Sequence, residues 1–301
     1  MTDNSFDRNR FRDDLGDFAR LAEAPYDPAI VDAVLDALGD SVRGTWPALR
    51  TTTHPVGERI VNARFTNFAA ATEPAQVLRD AGLLPFTGHP LETVLAEVPA
   101  AVPVLWGVDI AVHAGVQKIW LVLPESLSIE RLLQIPGLPD AVPAHAEHLR
   151  RYGDRVGIIG LDFAARTMNI YSQVLAPGTL TAAEISTLLA ELDFTAATDA
   201  ELALLGQTFN VYRTFSWTSP HLQRVCFPLR CTPETFPAHL DPTLPRLAAG
   251  APYAGTGARH LNFYAAYGAT SRYYKIQADY LSPAGAVLPD HKTPESLRRR
   301  A

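Results

Sequence analysis

The chain has 301 residues, of which 47% are hydrophobic and 19% are charged, and its formal net charge is −6. This composition is typical of a globular protein with a sizeable core and excludes a disordered chain. The negative balance excludes a general nucleic-acid binder, which needs an excess of positive surface. No stretch reaches the roughly 18 apolar residues of a membrane span, and the amino terminus lacks the apolar core of a signal peptide. We therefore expect a cytoplasmic protein that binds neither nucleic acid nor membrane.

Two helices are predicted at the start of the chain, over residues 6–22 and after Asp27, where Pro28 suits the first helical position. The sequence then repeats one theme five times: two β-rich runs joined by a short turn, followed by one or two helical segments. The paired runs are 47–53 with 58–69, 102–110 with 114–123, 155–163 with 166–174, 207–215 with 221–228, and 258–267 with 271–281. The predicted helices between the pairs are 74–81, 128–133, 143–152, 182–192 and 233–249.

This pattern predicts an α+β fold, a ten-stranded antiparallel β-barrel built from five ααββ-type units and surrounded by α-helices. A barrel of that width is not filled wholly by side chains, so its interior has room for a ligand. We expect one domain over residues 1–301. It would consist of amino-terminal helices over 1–45, hairpins with interposed helices over 46–282, and a tail over 283–301.

One polar residue recurs in the middle of an apolar strand of each pair. These residues are Arg64, Lys118, Asn169, Arg224 and Lys275, which are 51 to 55 positions apart. Strands that point their cations into one interior gather like charges out of water, and such a cluster is stable only around an anion. The spacing therefore predicts a site of diphosphate size, for which Arg50 and Tyr212 are further candidate ligands.

Alternation within the strands places aromatic residues on the same face as the cations. Trp120, Tyr171 and Tyr212 are the main ones, and such rings can shield an allylic carbocation by cation–π attraction and exclude water from it. The alternative is that these rings simply fill a core. Asp279 shares this face and is a candidate acceptor-side base or orienting group, with a salt bridge to an arginine at the barrel mouth as the alternative. Gln277 and Asn210 are further candidates for contact with an acceptor.

Several segments resemble the bacterial ABBA-type aromatic prenyltransferases, also called the prenyltransferase-barrel family. They are Gly82 to Pro90, Arg151-Tyr152-Gly153 leading to Asp162, Asn169-Ile170-Tyr171, Arg224 to Phe227, and Ala251-Pro252-Tyr253 before Tyr273-Tyr274-Lys275. The resemblance implies transfer of a prenyl group from an allylic diphosphate to an aromatic carbon. It assigns diphosphate binding to Lys118, Asn169, Tyr212, Arg224 and Lys275, prenyl shielding to Trp120 and Tyr171, and a less certain ligand position to Thr51.

Arg64 bears on the question of a metal. The magnesium-dependent branch of the family has a metal-binding aspartate at this position, whereas the clorobiocin-type branch has arginine. The resemblance therefore implies catalysis without magnesium or another cofactor, in a monomer that uses dimethylallyl diphosphate and a small aromatic acceptor, either a phenol or a dihydrophenazine carboxylate. Two alternatives stay open: a non-catalytic carrier that binds an amphiphilic anion in the barrel and, with less support, a magnesium-dependent phosphohydrolase.

Overall fold

The structure is a computed structural model that describes residues 6–281. The predicted tail over 283–301 lies outside the described residues. The chain begins with helices α1 (Arg8–Ala22) and α2 (Pro28–Leu38), which a short 3₁₀ helix (Gly39–Gly44) follows. Asp7 caps α1, and the Asp27 side chain accepts a hydrogen bond from the Ala29 amide at the start of α2. Both predicted amino-terminal helices are thus confirmed.

Ten strands follow, and all of them belong to one closed antiparallel barrel. They are β1 (Trp46–Thr52), β2 (Asn62–Thr66), β3 (Leu105–Ala111), β4 (Gly115–Ser128), β5 (Arg155–Asp162), β6 (Thr167–Ser172), β7 (Tyr212–Ser216), β8 (Arg224–Cys231), β9 (Leu261–Tyr267) and β10 (Arg272–Asp279). Each strand pairs with its sequence neighbours, and β1 closes the barrel by pairing with β10 as well as with β2. The predicted fold class and all five hairpins are confirmed.

The helices lie in the connections that join one hairpin to the next. They are α3 (Pro74–Asp80), α4 (Pro90–Ala101), α5 (Ile129–Leu132), α6 (Ala141–Ala144), α7 (Ala146–Arg151), α8 (Ala182–Glu191), α9 (Asp199–Leu205) and α10 (Leu244–Gly250). Two predictions of helix length were wrong. The segment predicted at 143–152 is divided between α6 and α7 at His145, and that predicted at 233–249 forms only a 3₁₀ turn (Ala238–Leu240) and α10. The second has prolines at 233, 237, 242 and 245, and a proline inside a helix removes a backbone donor and clashes with the preceding turn.

The strands separate two layers of side chains. Outward-facing residues such as Phe65, Ile119, Ile170, Phe227 and Ile276 are fully buried in the main core, between the barrel and the helices. A second, smaller cluster occupies the barrel interior. The turns of the five hairpins lie at one end of the barrel, which we call the hairpin end. The helical connections start and finish at the opposite end, which we call the helix end. In the part of the chain that the structure describes, no helix is long and apolar enough to cross a bilayer.

Candidate active site

The interior cluster contains the aromatic residues that the alternation predicts. Trp120, Tyr171 and Tyr212 are at most 7% exposed, and Tyr264 of β9 joins them. The rings form a continuous wall, with centroid separations of 5.3 Å between Trp120 and Tyr171, 4.3 Å between Tyr171 and Tyr212, and 6.5 Å between Tyr212 and Tyr264. Burial raises the pKa of the Tyr171, Tyr212 and Tyr264 phenols, so the wall stays uncharged at neutral pH.

Arg64 lies beside this wall and is paired with a buried carboxylate. Its Nε and Nη2 donate to the two oxygens of Asp109 at 2.7 and 3.0 Å, because Arg64 on β2 stands directly opposite Asp109 on β3. Arg50 of β1 also pairs with Asp109, at 3.1 Å. The third donor of Arg64, Nη1, reaches Gln277 at 2.9 Å, and the Tyr264 hydroxyl donates to the same amide oxygen at 3.1 Å. Two guanidinium groups beside the Asp109 carboxylate hold its pKa well below the usual range, despite complete burial.

Lys118 is held by a second buried carboxylate. Its Nζ lies 3.3 Å from Oδ2 of Asp162, the residue opposite it on β5. Burial lowers the pKa of Lys118 to about 8, although Asp162 opposes the shift. The ammonium group is therefore mostly protonated at neutral pH, and the single carboxylate of Asp162 does not fully offset the cost of burying its charge.

The last two cations contact neutral groups. Lys275 Nζ donates to the Tyr212 hydroxyl at 2.5 Å, and Arg224 Nη2 donates to Thr214 Oγ1 at 3.2 Å. Thr214 in turn donates to Asn169 Oδ1 at 2.7 Å, so Asn169 supports Arg224 through one hydroxyl. Burial lowers the pKa of Lys275 well below its usual value, and the nearby Arg224 charge lowers it further.

These groups give the interior a surplus of positive charge. Among the described residues, the carboxylates paired with Arg50, Arg64, Lys118, Arg224 and Lys275 are those of Asp109 and Asp162, so three positive charges remain when every group is ionised. Several buried side-chain donors also have no hydrogen-bond partner among the described residues. Two of them lie beside these cations at the hairpin end, the Nε of Arg224 and the hydroxyl of Thr52, which stands opposite Lys275. Buried donors without partners and buried cations without counter-ions both raise the free energy of the folded protein. A polyanion bound at the hairpin end would lower it, by accepting hydrogen bonds and by supplying negative charge.

Trp120 has space against the barrel wall because two neighbouring residues are glycines. Gly107 on β3 and Gly160 on β5 are the residues opposite Trp120 on the strands that flank it. A Cβ atom at Gly160 would lie 2.7 Å from Cζ3 of the indole, and one at Gly107 would lie 3.2 Å from the tryptophan Cβ. The ring therefore occupies the space that a side chain at Gly160 would fill. In this position the indole lies 4.3 Å from the Arg64 guanidinium and 5.2 Å from the Lys118 ammonium.

Three other predicted site residues lie away from the five interior cations described above. Thr51 is fully buried, but the alternation of β1 puts it opposite Ile276 on the outer face, so the structure does not bring it into the interior. Asn210 directs its amide to the Ser172 carbonyl, at 2.7 Å, and so bonds within the barrel wall. Asp279 lies at the helix end of β10, where it raises the pKa of Arg230 and Arg259 against the lowering effect of their burial. This electrostatic interaction agrees with the alternative expected for Asp279, an interaction with an arginine at the barrel mouth.

The sequence analysis missed four members of the site, namely Asp109, Asp162, Thr214 and Tyr264. Asp109 could have been found by the signal that identified the cations, because it is a lone charged residue in the apolar run of β3. Tyr264 stands opposite Lys275 in the ladder of β9 and β10, and this register is not visible in the sequence. In the described part of the chain, no group of three or more His, Cys, Asp or Glu side chains is placed to hold a metal ion.

The closed barrel and its cationic, aromatic interior together define the class of aromatic prenyltransferases that work inside an antiparallel barrel. The sequence profile of the family described as aromatic prenyltransferase Orf2 matches residues 6–290. The chain belongs to that family, and the resemblance noted in its sequence is confirmed.

Comparison with individual proteins agrees with this assignment. Flaviolin linalyltransferase of Streptomyces virginiae is 29% identical to this chain, over 82% of the chain and 83% of that protein. The 5,10-dihydrophenazine-1-carboxylate 9-dimethylallyltransferase of Streptomyces anulatus is 28% identical, over 86% of the chain and 88% of that protein. A solved structure of 6-dimethylallyl tryptophan synthase superposes with a TM-score of 0.53 at 12% identity, over 91% of this chain and 98% of the other, which is a likeness of fold.

Proposed function

We propose that this aromatic prenyltransferase transfers a dimethylallyl group from dimethylallyl diphosphate to a carbon of an electron-rich aromatic acceptor in secondary metabolism. The observation that carries the proposal is the surplus of cationic side chains over carboxylates in the interior, three charges when every group is ionised, beside a wall of uncharged rings. A surplus of that size is roughly the opposite of a prenyl diphosphate trianion, and each charge pair contributes on the order of 4 kcal/mol at 4 Å and an effective dielectric of 20.

The proposed reaction begins with cleavage of the allylic carbon–oxygen bond, and the electron pair leaves with pyrophosphate. Lys118, Arg224 and Lys275 stabilise the negative charge that develops on the leaving group, with Tyr212 and Asn169 as supporting groups. The Trp120, Tyr171 and Tyr212 faces stabilise the allylic cation and keep water from it. The acceptor ring attacks the cation to form the new carbon–carbon bond, and the resulting arenium ion gives its proton to the released pyrophosphate, which restores aromaticity.

We propose that the reaction needs no metal, because Arg64 and Arg50 supply positive charge where the magnesium-dependent branch has a metal ligand. The contacts of Asp109 support this reading: both of its oxygens already receive guanidinium donors. A metal at Asp109 would have to displace these charge-assisted hydrogen bonds from a fully buried site.

The five-carbon length of the donor is part of the proposal. The 28% identical relative is named as a dimethylallyltransferase of a dihydrophenazine carboxylate, and we propose an acceptor of that kind, or a phenol, for this chain. We also propose a monomer as the working unit, because the strands of a single chain close the barrel around the site.

The test is incubation of the purified protein with dimethylallyl diphosphate, a panel of phenols, naphthols and dihydrophenazines, and EDTA, followed by mass spectrometry. We expect a mass gain of one dimethylallyl unit together with release of inorganic pyrophosphate. Product that forms only with added magnesium would overturn the metal-free proposal. A parallel series with geranyl diphosphate tests the donor length, and faster turnover with that donor would contradict the dimethylallyl assignment.

Membership of an enzyme family favours catalysis over the carrier that the sequence left open, and the same experiment separates the two. Both functions predict binding of the diphosphate, but only the enzyme releases pyrophosphate in amounts that depend on the acceptor. Lys275→Met is the matched variant, since it removes the charge and keeps the length of the side chain. We expect it to weaken binding of inorganic pyrophosphate by roughly tenfold or more. Wild-type affinity in this variant would exclude Lys275 from the diphosphate site.

A further inference from the structure

Arg230 is a cation at the helix end of the barrel that the proposed diphosphate site does not use. It lies on β8, six residues from Arg224 and on the same face of the strand, opposite Asn262 of β9. Six residues of strand span about 20 Å, or about 15 Å along the axis of a tilted barrel. Tyr264 of the interior cluster stands opposite Pro228, two residues from Arg230 on the same face of β8. The barrel interior therefore has a cation at each end, with the aromatic wall between them.

The Arg230 guanidinium is fixed in place and short of hydrogen-bond partners. Its Cζ lies 4.4 Å from the centroid of the Phe209 ring, which orients the guanidinium. Its Nη1 is buried and has no hydrogen-bond partner among the described residues. Burial lowers the pKa of this group, and Tyr264 and Asp279 only partly offset that shift. A fixed guanidinium with an open donor is suited to binding a carboxylate through paired hydrogen bonds.

The charges around Arg230 leave one cation unbalanced. Asp279 raises the pKa of both Arg230 and Arg259, so one carboxylate interacts electrostatically with two guanidinium groups. The Nε of Arg259 is also buried without a hydrogen-bond partner in the described part of the chain. Among the described residues, the helix end therefore has one carboxylate near two guanidinium groups, and a carboxylate on a bound molecule would supply a second negative charge.

We propose that Arg230 binds an anionic group of the aromatic acceptor, a carboxylate on or next to the ring, and so selects acidic acceptors and sets which ring carbon faces the donor. This inference rests on the proposed function, because it assumes that the acceptor enters from the helix end while the diphosphate lies at the hairpin end. An axial distance of about 15 Å accommodates a diphosphate, a five-carbon chain and a stacked aromatic acid in that order.

The first experiment measures binding and does not depend on turnover. Quenching of tryptophan fluorescence is followed as wild-type protein is titrated with phenazine-1-carboxylate or with phenazine, which differ only in the carboxylate. We expect wild type to bind the acid roughly tenfold or more tightly, as a charge-assisted pair predicts. Arg230→Met should lose this preference. Arg230→Lys keeps the charge but cannot donate two parallel hydrogen bonds to a carboxylate, so it should retain part of the preference. Equal affinity of wild type for the two molecules, or an unchanged preference in Arg230→Met, would overturn the proposal.

The second experiment uses the reaction. The ratio of kcat/KM for 5,10-dihydrophenazine-1-carboxylate to that for 5,10-dihydrophenazine should fall by about tenfold or more in Arg230→Met and stay unchanged in Arg43→Gln, which alters an exposed arginine paired with Asp40. Both variants should bind inorganic pyrophosphate as wild type does, which also establishes that Arg230→Met is folded. If wild type failed to bind pyrophosphate, the proposed function would fail, whereas the preference for the phenazine acid would still decide the role of Arg230.

Discussion

Asp109 illustrates how single residues make a cationic interior stable. It is completely buried, and its carboxylate offsets the charges of Arg50 and Arg64, which would otherwise repel each other in a medium of low dielectric. A buried carboxylate of this kind is necessary because its partners are charged, and its removal leaves those partners uncompensated. Asp109 and Asp162 thus have a structural role in a site whose ligand is an anion.

The first prediction concerns that carboxylate. Asp109→Asn should destabilise the free protein by about 3 kcal/mol or more, because two buried guanidinium groups lose their counter-ion. Chemical denaturation would measure the change, with Asp13→Asn as the control, since the Asp13 side chain is 75% exposed and should contribute almost nothing. Inorganic pyrophosphate should restore part of the lost stability. Equal stability of Asp109→Asn and wild type would contradict the network described here.

The second prediction concerns Trp120. Trp120→Ala should lower kcat by up to about thirtyfold while the affinity for inorganic pyrophosphate changes little, because the indole acts on the carbocation and not on the diphosphate. Trp120→Phe keeps an aromatic face and should retain most of the activity. Steady-state kinetics and calorimetric titration separate the two effects. Parallel losses of turnover and of pyrophosphate binding in Trp120→Ala would argue against shielding.

At the scale of the elements, neighbouring strands determine what each side chain can do. Trp120 on β4 has space for its ring against Gly160 and for its Cβ against Gly107, because these two cross-strand neighbours have no side chains. The ladder of β1 and β10 similarly places Thr52 opposite Lys275 and Arg50 opposite Gln277. The active-site geometry is therefore a property of strand pairs, since no single strand contains a complete group of contacts.

The third prediction tests this pairing. Gly160→Ala should displace the Trp120 ring, because the new Cβ would lie 2.7 Å from Cζ3 of the indole. We expect a loss of activity and a destabilisation of about 1–3 kcal/mol, the usual cost of overpacking. Gly44→Ala is the control, because a Cβ atom there meets nothing within 4 Å. The smaller ring of Trp120→Phe should rescue the stability of Gly160→Ala, and the absence of rescue would mean that the two residues do not compete for space.

At the scale of the whole molecule, closure of the barrel brings five cations from distant parts of the sequence to one site. Burial of these charges raises the free energy of the ligand-free protein, as the lowered pKa values of Lys118 and Lys275 indicate. A bound diphosphate favours the charged forms, so it raises the pKa of both lysines, and binding takes up protons. Ligand binding, charge and stability are therefore linked.

The fourth prediction follows from this linkage. The pKa of Lys118 is about 8 in the free protein, so its positive charge is fully present well below pH 8 and is lost as the pH rises. Inorganic pyrophosphate should therefore raise the Tm more at pH 7 than at pH 9.5, as thermal denaturation would measure. Lys118→Arg, which stays charged throughout this range, should weaken the pH dependence without abolishing it, because Lys275 also titrates. A pyrophosphate-induced shift in Tm that is independent of pH in wild type would contradict the assigned pKa shifts.

Much of the fold and part of the site could be predicted from the sequence because they depend on local periodicity. Alternation with a period of two residues defines the two faces of each strand, and the repeated hairpins indicate ten strands. The lone cations Arg64, Lys118, Arg224 and Lys275 are prominent against apolar runs, so their common interior was predictable. Prolines within the segment 233–249 also carried a local signal, and a stricter use of it would have shortened the predicted helix there.

The partners of those cations were decided only by the tertiary structure. Arg64 and Asp109 are 45 residues apart, and Lys118 and Asp162 are 44 apart, yet each pair stands in register on adjacent strands. Periodicity tells which face a residue occupies, but the register between strands and the closure of the barrel determine what lies opposite it. For the same reason, the position of the Trp120 ring beside Gly160 is not visible in the order of the residues.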